Sequence, residues 1–235
     1  MSKTKTVTKV ISLGGSIIAP EKVDSNFLLA FRAAILEFLE TNPHNRLILV
    51  CGGGAPAREY QRAYRTVVPE ADAEVLDWIG IAATRLNAEL LKQLFREVCL
   101  EQVITDPTEV SVFPGRILVA SGWKPGFSTD FDAVLLAERF QADTLLNLSN
   151  IVKVYTADPK THPDARPLER IAWNEFQKLV GDTWEPGINV PFDPVATEKA
   201  AGIRLRVIVA AGRNIDNLKK ILYGKKFEGT VIGPD

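Results

Sequence analysis

Two short glycine clusters, Gly14-Gly15-Ser16 and Gly52-Gly53-Gly54, constrain this chain more than any other feature. Each directly follows a run of buried-strand character, Val7 to Leu13 and Arg46 to Cys51, and each precedes a helical stretch. Strands that lead into helices in this way build parallel sheets, because parallel neighbours need a crossover. Glycine at such a turn lets backbone N–H groups approach an anion closely, and the following helix N-terminus adds a favourable dipole. For one cluster, a tight turn with no ligand is an equal alternative. Two clusters in one sheet favour two phosphate sites.

The remaining pattern continues the alternation. Asn26 to Thr41 has helical spacing through Phe27, Leu28, Phe31, Ala34, Ile35 and Phe38. Ala57 to Arg65 reads as a helix with Pro56 in its first turn. The longest helix reads from Asp77 to Phe95, with Ile79, Ala82, Ala83, Leu86, Leu90 and Leu94 on one stripe. Burial in the core is the expectation for both stripes. Strands are expected at Gln102 to Thr105, Arg116 to Ala120, Thr144 to Leu148, Val152 to Tyr155 and Arg204 to Val209. Helices are expected at Asp130 to Phe140, Glu169 to Val180, Val195 to Ala201 and Ile215 to Leu222. The proline-rich stretch after Tyr155 reads as a loop, as does Gly181 to Pro194 with its Trp184. The expected fold is α/β, a three-layer α/β/α sandwich with a mainly parallel central sheet, in a single domain over residues 1–235. Ligands of such sheets bind beyond the C-terminal strand ends, where both glycine clusters lie.

Composition narrows the function. With 46% hydrophobic residues, 235 residues form a sizeable core without a disulfide or metal staple. A net charge of −1 argues against a nucleic-acid partner and against a basic membrane-binding face. Cys51 and Cys99 form no CxxC pair, and His44 and His162 complete no ligand cluster. Free thiols in a reducing compartment, and no dedicated metal site, are the expectation. The polar start lacks an apolar leader, and no run approaches the about 18 apolar residues of a membrane span. A cytoplasmic location is expected.

Neither glycine cluster is a P-loop, since no Gly-Lys-Ser/Thr closes it. Gly52-x-Gly54-x-x-Ala57 fits the relaxed dinucleotide fingerprint, but the segment after it, Glu70 to Asp77, looks like a turn rather than an acid-ended strand. A Rossmann oxidoreductase stays as an alternative. Arg58, four residues past Gly54, is placed to fork onto phosphate oxygens, or else is a surface arginine. Asp77 opens the long helix and by itself reads as an N-cap. The run Lys124-Pro125-Gly126-Phe127-Ser128-Thr129-Asp130 again joins a strand to a helix. Capping explains one of its last three residues but not all three, and Asp132 reads as a first-turn partner of the helix dipole.

The runs Pro125-Gly126-Phe127-Ser128-Thr129-Asp130 and Val154-Tyr155-Thr156-Ala157-Asp158-Pro159-Lys160 resemble the amino acid kinase superfamily. With Leu13-Gly14-Gly15-Ser16, Cys51-Gly52-Gly53-Gly54, Asp77-Trp78-Ile79-Gly80 and Thr84-Arg85-Leu86-Asn87-Ala88, they resemble its uridylate kinase branch of archaeal type. The resemblance spans Val10 to Val231 with every motif in family order. It implies transfer of the γ-phosphoryl group of ATP to UMP with Mg²⁺, a step of pyrimidine nucleotide synthesis. Gly15, Ser16, Gly54 and Arg58 would cradle the transferring phosphates. Ser149, Asn150, Tyr155, Asp158 and Lys160 would line the ATP pocket. Gly53, Asp77, Trp123, Lys124, Pro125, Gly126, Phe127, Ser128 and Thr129 would hold UMP, with Asp77 on the ribose hydroxyls. Asp130 and Asp193 match acidic positions near the phosphates, where they would position cationic groups and Mg²⁺; with Arg58 they are the expected catalytic residues. The acceptor and phosphate-loop half would be roughly residues 1–145, and the ATP half 146–235. Family members are usually hexamers built as trimers of dimers.

The chain departs from the family pattern in places. Ser12 stands where many members carry lysine, and Val152-Lys153 where Asp-Gly is usual. Trp123-Lys124 replaces a small polar residue and a histidine. Trp123 either stacks on the base or fills its space. Other acceptors, such as carbamate or an amino-acid carboxylate, stay open, as does a non-catalytic protein like the molybdenum storage proteins.

Overall fold

The computed structural model describes residues 7–181 and 190–234. Trp184 and most of the loop expected from Gly181 to Pro194 lie outside the described residues. The chain runs through β1 (Val7–Leu13), a single turn α1 (Gly15–Ile18), α2 (Ser25–Glu40), β2 (Asn45–Cys51), α3 (Gly54–Val67), α4 (Ala73–Leu94), β3 (Ile117–Ala120), α5 (Thr129–Arg139) and β4 (Thr144–Ser149). It continues with β5 (Arg170–Ile171), α6 (Trp173–Val180), α7 (Pro194–Gly202), β6 (Val207–Ala211), α8 (Ile215–Leu222) and β7 (Thr230–Ile232). The strands form one sheet in the order β3-β2-β1-β4-β6-β7-β5. From β3 to β6 all pairings are parallel. Strand β7 turns antiparallel to β6, and β5 pairs with β7 in parallel.

Successive side chains of a strand face opposite sides of the sheet, and here both sides are apolar. Ile11, Leu13, Leu47, Leu49, Leu146 and Leu148 pack with residues of α2, α4 and α8. Val10, Ile48, Val50, Leu145 and Val207 pack with residues of α5, α6 and α7. The product is the expected three-layer α/β/α sandwich, and double-sided burial is why the strands read as unbroken apolar runs. Helix α2 starts where Asp24 Oδ1 accepts a bond of 3.0 Å from the Phe27 N–H, and its whole expected stripe is buried. Both cysteines are free and buried. Among the described residues no helix is long and apolar enough to cross a membrane.

Several sequence expectations are corrected. Helix α4 begins at Ala73 under an Asp72 cap, so Asp77 lies one turn inside it rather than at its start. The face that α4 buries is Leu76, Ile81, Thr84, Asn87, Ala88 and Leu91, whereas Leu86 of the expected stripe is 68% exposed. Two polar residues on the inward face hide it from a search for apolar periodicity. Gln102 to Thr105 is not a strand; it makes only a single bridge, from Ile104 to Ala120. Val152 to Tyr155 is not one either, since the Val154 N–H donates to the Thr230 hydroxyl and Tyr155 only bridges Pro167. Glu169 to Val180 opens with the short strand β5 before its helix. Arg204 takes a left-handed conformation, φ 53°, so β6 starts only at Val207. Asp132 lies in the first turn of α5 as expected, and it is fully buried there.

Candidate active site

The two glycine loops meet at the C-terminal end of the sheet. Strands β1 and β2 end in register at Leu13 and Cys51. The Gly14 N–H donates to the Leu148 carbonyl at 2.9 Å and the Gly52 N–H to the Leu13 carbonyl at 3.0 Å, which ties the first loop to β4 and the second loop to β1. A Cβ added to Gly15 would lie 2.0 Å from the Gly54 nitrogen, so backbone touches backbone there and no other residue fits. Gly54 has φ +70°, and a Cβ on it would lie 2.3 Å from the Gly15 carbonyl oxygen. Asn87 Nδ2 donates to the carbonyls of Gly52 and Gly53 at 2.7 and 3.1 Å. With those acceptors occupied, the loop offers N–H groups to a ligand. The first turn of α3 adds few more, because Pro56 has no N–H and the Ala55 N–H donates to the Ala19 carbonyl at 2.9 Å.

Around this cradle the expected residues gather in part. Arg58 is exposed on α3, and its Nη2 donates to the Pro20 carbonyl at 3.3 Å. Asn150 Nδ2 donates to Ser16 Oγ at 3.1 Å, joining the first glycine loop to the end of β4. Ser149 Oγ accepts from the Ile151 N–H. The Ser12 hydroxyl donates to Asp130 Oδ1 at 2.8 Å, so the serine found in place of the family lysine is matched to an acid. Burial pushes the Asp130 carboxyl up to about 6 against that bond, and the Asp193 charge adds to the rise. Asp193 caps α7, accepting from the Ala196 N–H at 2.7 Å, and burial raises its carboxyl too. Tyr155, Asp158 and Lys160 lie on the loop after β4, where Asp158 Oδ1 accepts from the Lys160 N–H and both residues are exposed. Lys153 pairs with Glu169.

Several residues expected to hold the acceptor line a small pocket of about 200 Å³, whose lining includes Gly53, Asp77, Thr84, Gly122, Phe127 and Thr129. Asp77 Oδ2 accepts from the Gly126 N–H at 2.9 Å, and Gly126 takes the left-handed φ of +85° that this turn needs. Trp123 does not line the pocket. Its ring packs 5.3 Å from Phe127, with the Lys124 ammonium 3.9 Å from the Trp123 ring centre. Phe127, not Trp123, presents an aromatic face to the cavity. The Ser128 hydroxyl caps α5, accepting from the Phe131 N–H at 3.2 Å, while Thr129 lines the pocket. Among the described residues no three His, Cys, Asp or Glu side chains are placed to hold a metal ion.

Thr84, Asn87, Asp132 and Thr230 bond backbone groups at this end of the sheet; sequence reasoning gave Thr84 and Asn87 only as part of a family motif, read Asp132 as a helix-dipole partner and left out Thr230. Their signal was a polar residue at an inward helical or strand position.

A fold of this topology, with paired glycine loops at the strand ends, defines a class of phosphate-handling α/β proteins. A model of the amino acid kinase family matches residues 7–211, and the chain belongs to that family. It is 36% identical to a uridylate kinase of Thermoplasma volcanium over 220 residues, 92% of this chain and 93% of that one. It is 32% identical to a uridylate kinase of Pyrococcus abyssi, over 96% of this chain and 99% of that one. The solved uridylate kinase of Archaeoglobus fulgidus superposes with a TM-score of 0.81 at 33% identity, covering 96% of this chain and 99% of that one.

Proposed function

We propose that this chain is an ATP-dependent UMP kinase, forming UDP and ADP. The observation that carries the reading is that Gly53 belongs to both sites: it lines the acceptor pocket and immediately precedes the first turn of α3. An acceptor seated against Asp77, Phe127 and Thr129 therefore directs its phosphate to the loop that meets the ATP phosphates. Relatives called uridylate kinase support the same activity.

The chemistry asks for positioning and charge stabilisation more than for covalent help. Backbone N–H groups of the glycine loops and the Arg58 guanidinium supply donors to the transferring group. No base is required, because a phosphate monoester with its second pKa near about 6 is already ionised at neutral pH. Asp130 and Asp193 would serve an Mg²⁺ ion carried in by phosphate, since Mg²⁺ is commonly held by one or two carboxylates and substrate phosphates. When bound, it would neutralise charge on the phosphoryl oxygens. Ser149, Asn150, Tyr155, Asp158 and Lys160 are the proposed ATP side, residues 146–235 being the nucleotide half of one domain and 1–145 the acceptor half. Helices α3 and α4 pack together and expose Tyr60, Val67, Trp78 and Leu86, which supports self-association, as a homohexamer built from dimers.

ADP release measured with UMP, CMP, AMP, carbamate and acidic amino acids tests the acceptor. UMP is expected to be turned over and the other nucleotides much more poorly, because a site built for one base edge leaves its polar groups unpaired with another. Release driven by carbamate or an amino acid and not by UMP would sink the reading. One Asp77 oxygen serves Gly126, leaving the other for a ribose hydroxyl. Asp77→Asn keeps the first bond and is expected to weaken the second, raising the UMP KM about tenfold, on the order of 1.5 kcal/mol, with the ATP KM unchanged.

A further inference from the structure

The segment leaving β3 is suspended from helices by its own backbone. The Gly122 N–H donates to Thr84 Oγ1 at 2.9 Å, the Trp123 N–H to Asp132 Oδ2 at 3.1 Å, and the Gly126 N–H to Asp77 Oδ2 at 2.9 Å. Thr84 and Asp77 stand on α4 and Asp132 on α5, so the loop is strung between two helices.

Asp132 is the anomalous member of the three. It is fully buried, and its second oxygen, Oδ1, has no hydrogen-bond partner among the described residues. The carboxyls of Asp106, Asp130 and Asp193 are close enough to disfavour its charge further. An unpaired carboxyl oxygen away from water is destabilising, so packing alone gives no reason for an acid at this position. What the acid does is hold Trp123. The ring of the same residue packs 5.3 Å from Phe127, with the Lys124 ammonium 3.9 Å from its centre, so Trp123 is held by its backbone to α5 and by its ring to the loop itself. Trp123 in turn backs Phe127, whose ring stacks 4.8 Å from Phe131 and forms a wall of the acceptor pocket.

We infer that Asp132 is a positioning residue for the acceptor: by holding the Trp123 N–H it fixes the loop from Gly122 to Phe127, and with it the pocket wall that receives the nucleoside monophosphate. The inference rests on the acceptor site proposed above and names a residue that makes no contact with that acceptor. Asparagine at this position keeps an oxygen for the Trp123 N–H; leucine of similar size removes it, and the small serine leaves its hydroxyl short of it.

The test compares the whole chain with Asp132→Asn, Asp132→Leu and Asp132→Ser in two measurements. Amide hydrogen exchange over residues 121–128 is followed without nucleotide, and KM is then measured for UMP and for ATP. The leucine and serine variants are expected to exchange the loop amides at least tenfold faster and to raise the UMP KM about tenfold, with the ATP KM within about twofold of wild type. The asparagine variant is expected to stay near wild type in both. The serine variant carries the test if the leucine variant does not fold. Unchanged loop exchange in the serine and leucine variants overturns the role of Asp132, whatever the acceptor is. A parallel rise in both KM values, with faster exchange across the whole chain, reduces Asp132 to a structural residue and also overturns it. Faster loop exchange in an enzyme whose wild type turns over no UMP overturns instead the assignment of the pocket to UMP.

Discussion

The two sides of the cradle are built differently. On the proposed acceptor side, buried side chains hold the backbone directly: Asn87 on the second glycine loop, Thr84 and Asp132 on the loop after β3. On the nucleotide side, the loop from Asn150 to Glu169 is held mostly by its own turns, such as Asp158 to the Lys160 N–H and Thr156 to the Arg166 N–H. Its ion pair, Lys153 with Glu169, has a glutamate that is 74% exposed. Strand β7 reaches it from outside, through the buried Thr230 hydroxyl and through the Val231 N–H, which donates to the Glu169 carbonyl at 3.0 Å. The contrast explains where the family pattern bends. Val152-Lys153 falls where local turns absorb a change. Ser12 and Trp123 fall where distant side chains hold the structure, and each bonds to an acid, Asp130 for the first and Asp132 for the second.

The largest expected effect strikes the most buried point of the acceptor side. Burial pushes the Asp132 carboxyl from 3.8 up to about 8. The folded chain then keeps a proton that the unfolded chain releases between those values, so the stability this group contributes is full below about pH 4 and is lost as pH rises toward 8. One unit corresponds to about 1.4 kcal/mol, which makes the full effect several kcal/mol. Asp132→Asn cannot ionise. It is expected to unfold on the order of 10–20 °C above wild type at pH 8 and level with it near pH 4, by thermal unfolding at both values. A difference that does not change with pH would count against a buried acid as its origin. Asp130, raised to about 6, acts in the same direction over a narrower window.

Next in size is Arg58→Ala, which tests the cradle shared by both sides. The side chain is exposed, and its bond to the Pro20 carbonyl is long, so the melting temperature is expected to hold. Loss of a donor aimed at developing charge costs about 3 kcal/mol, so kcat is expected to fall about a hundredfold. An unchanged kcat/KM would leave Arg58 an ordinary surface residue.

The same contrast governs what the sequence reveals. The β1 and β2 runs, the α2 stripe and both glycine clusters were legible, because apolar periodicity and glycine each have one dominant physical cause there. The inward face of α4 was not, since Thr84 and Asn87 are turned in to meet loop backbone that comes from distant parts of the chain. Asp77 was placed at a helix start because its type suits a cap, yet Asp72 holds that position. The strand β7 is three residues long and antiparallel, and no periodicity can register in so short a run. Site residues carried on turn chemistry were thus visible, and those that hold the turns from behind were not.

The smallest expected effect asks whether the proposed nucleotide side depends on the Thr230 hydroxyl. Thr230 is fully buried; its Oγ1 accepts from the Val154 N–H at 2.9 Å and donates to the Leu168 carbonyl at 2.5 Å. Thr230→Val keeps the shape and removes both bonds, leaving a backbone donor and a backbone acceptor unpaired. A cost of about 2 kcal/mol is expected, or a melting temperature lower by roughly 5 °C. Lys153→Met, which removes only the pair with exposed Glu169, is expected to shift it by less than about 2 °C. Since Val154 and Leu168 flank the segment carrying Tyr155 and Asp158, the valine variant is expected to raise the ATP KM severalfold while the UMP KM stays put. If both constants rise together, the two sides are mechanically coupled through the sheet, and the separation drawn between them fails. If neither rises while stability falls, Thr230 supports the loop without shaping the nucleotide site, and the local turns alone set its geometry.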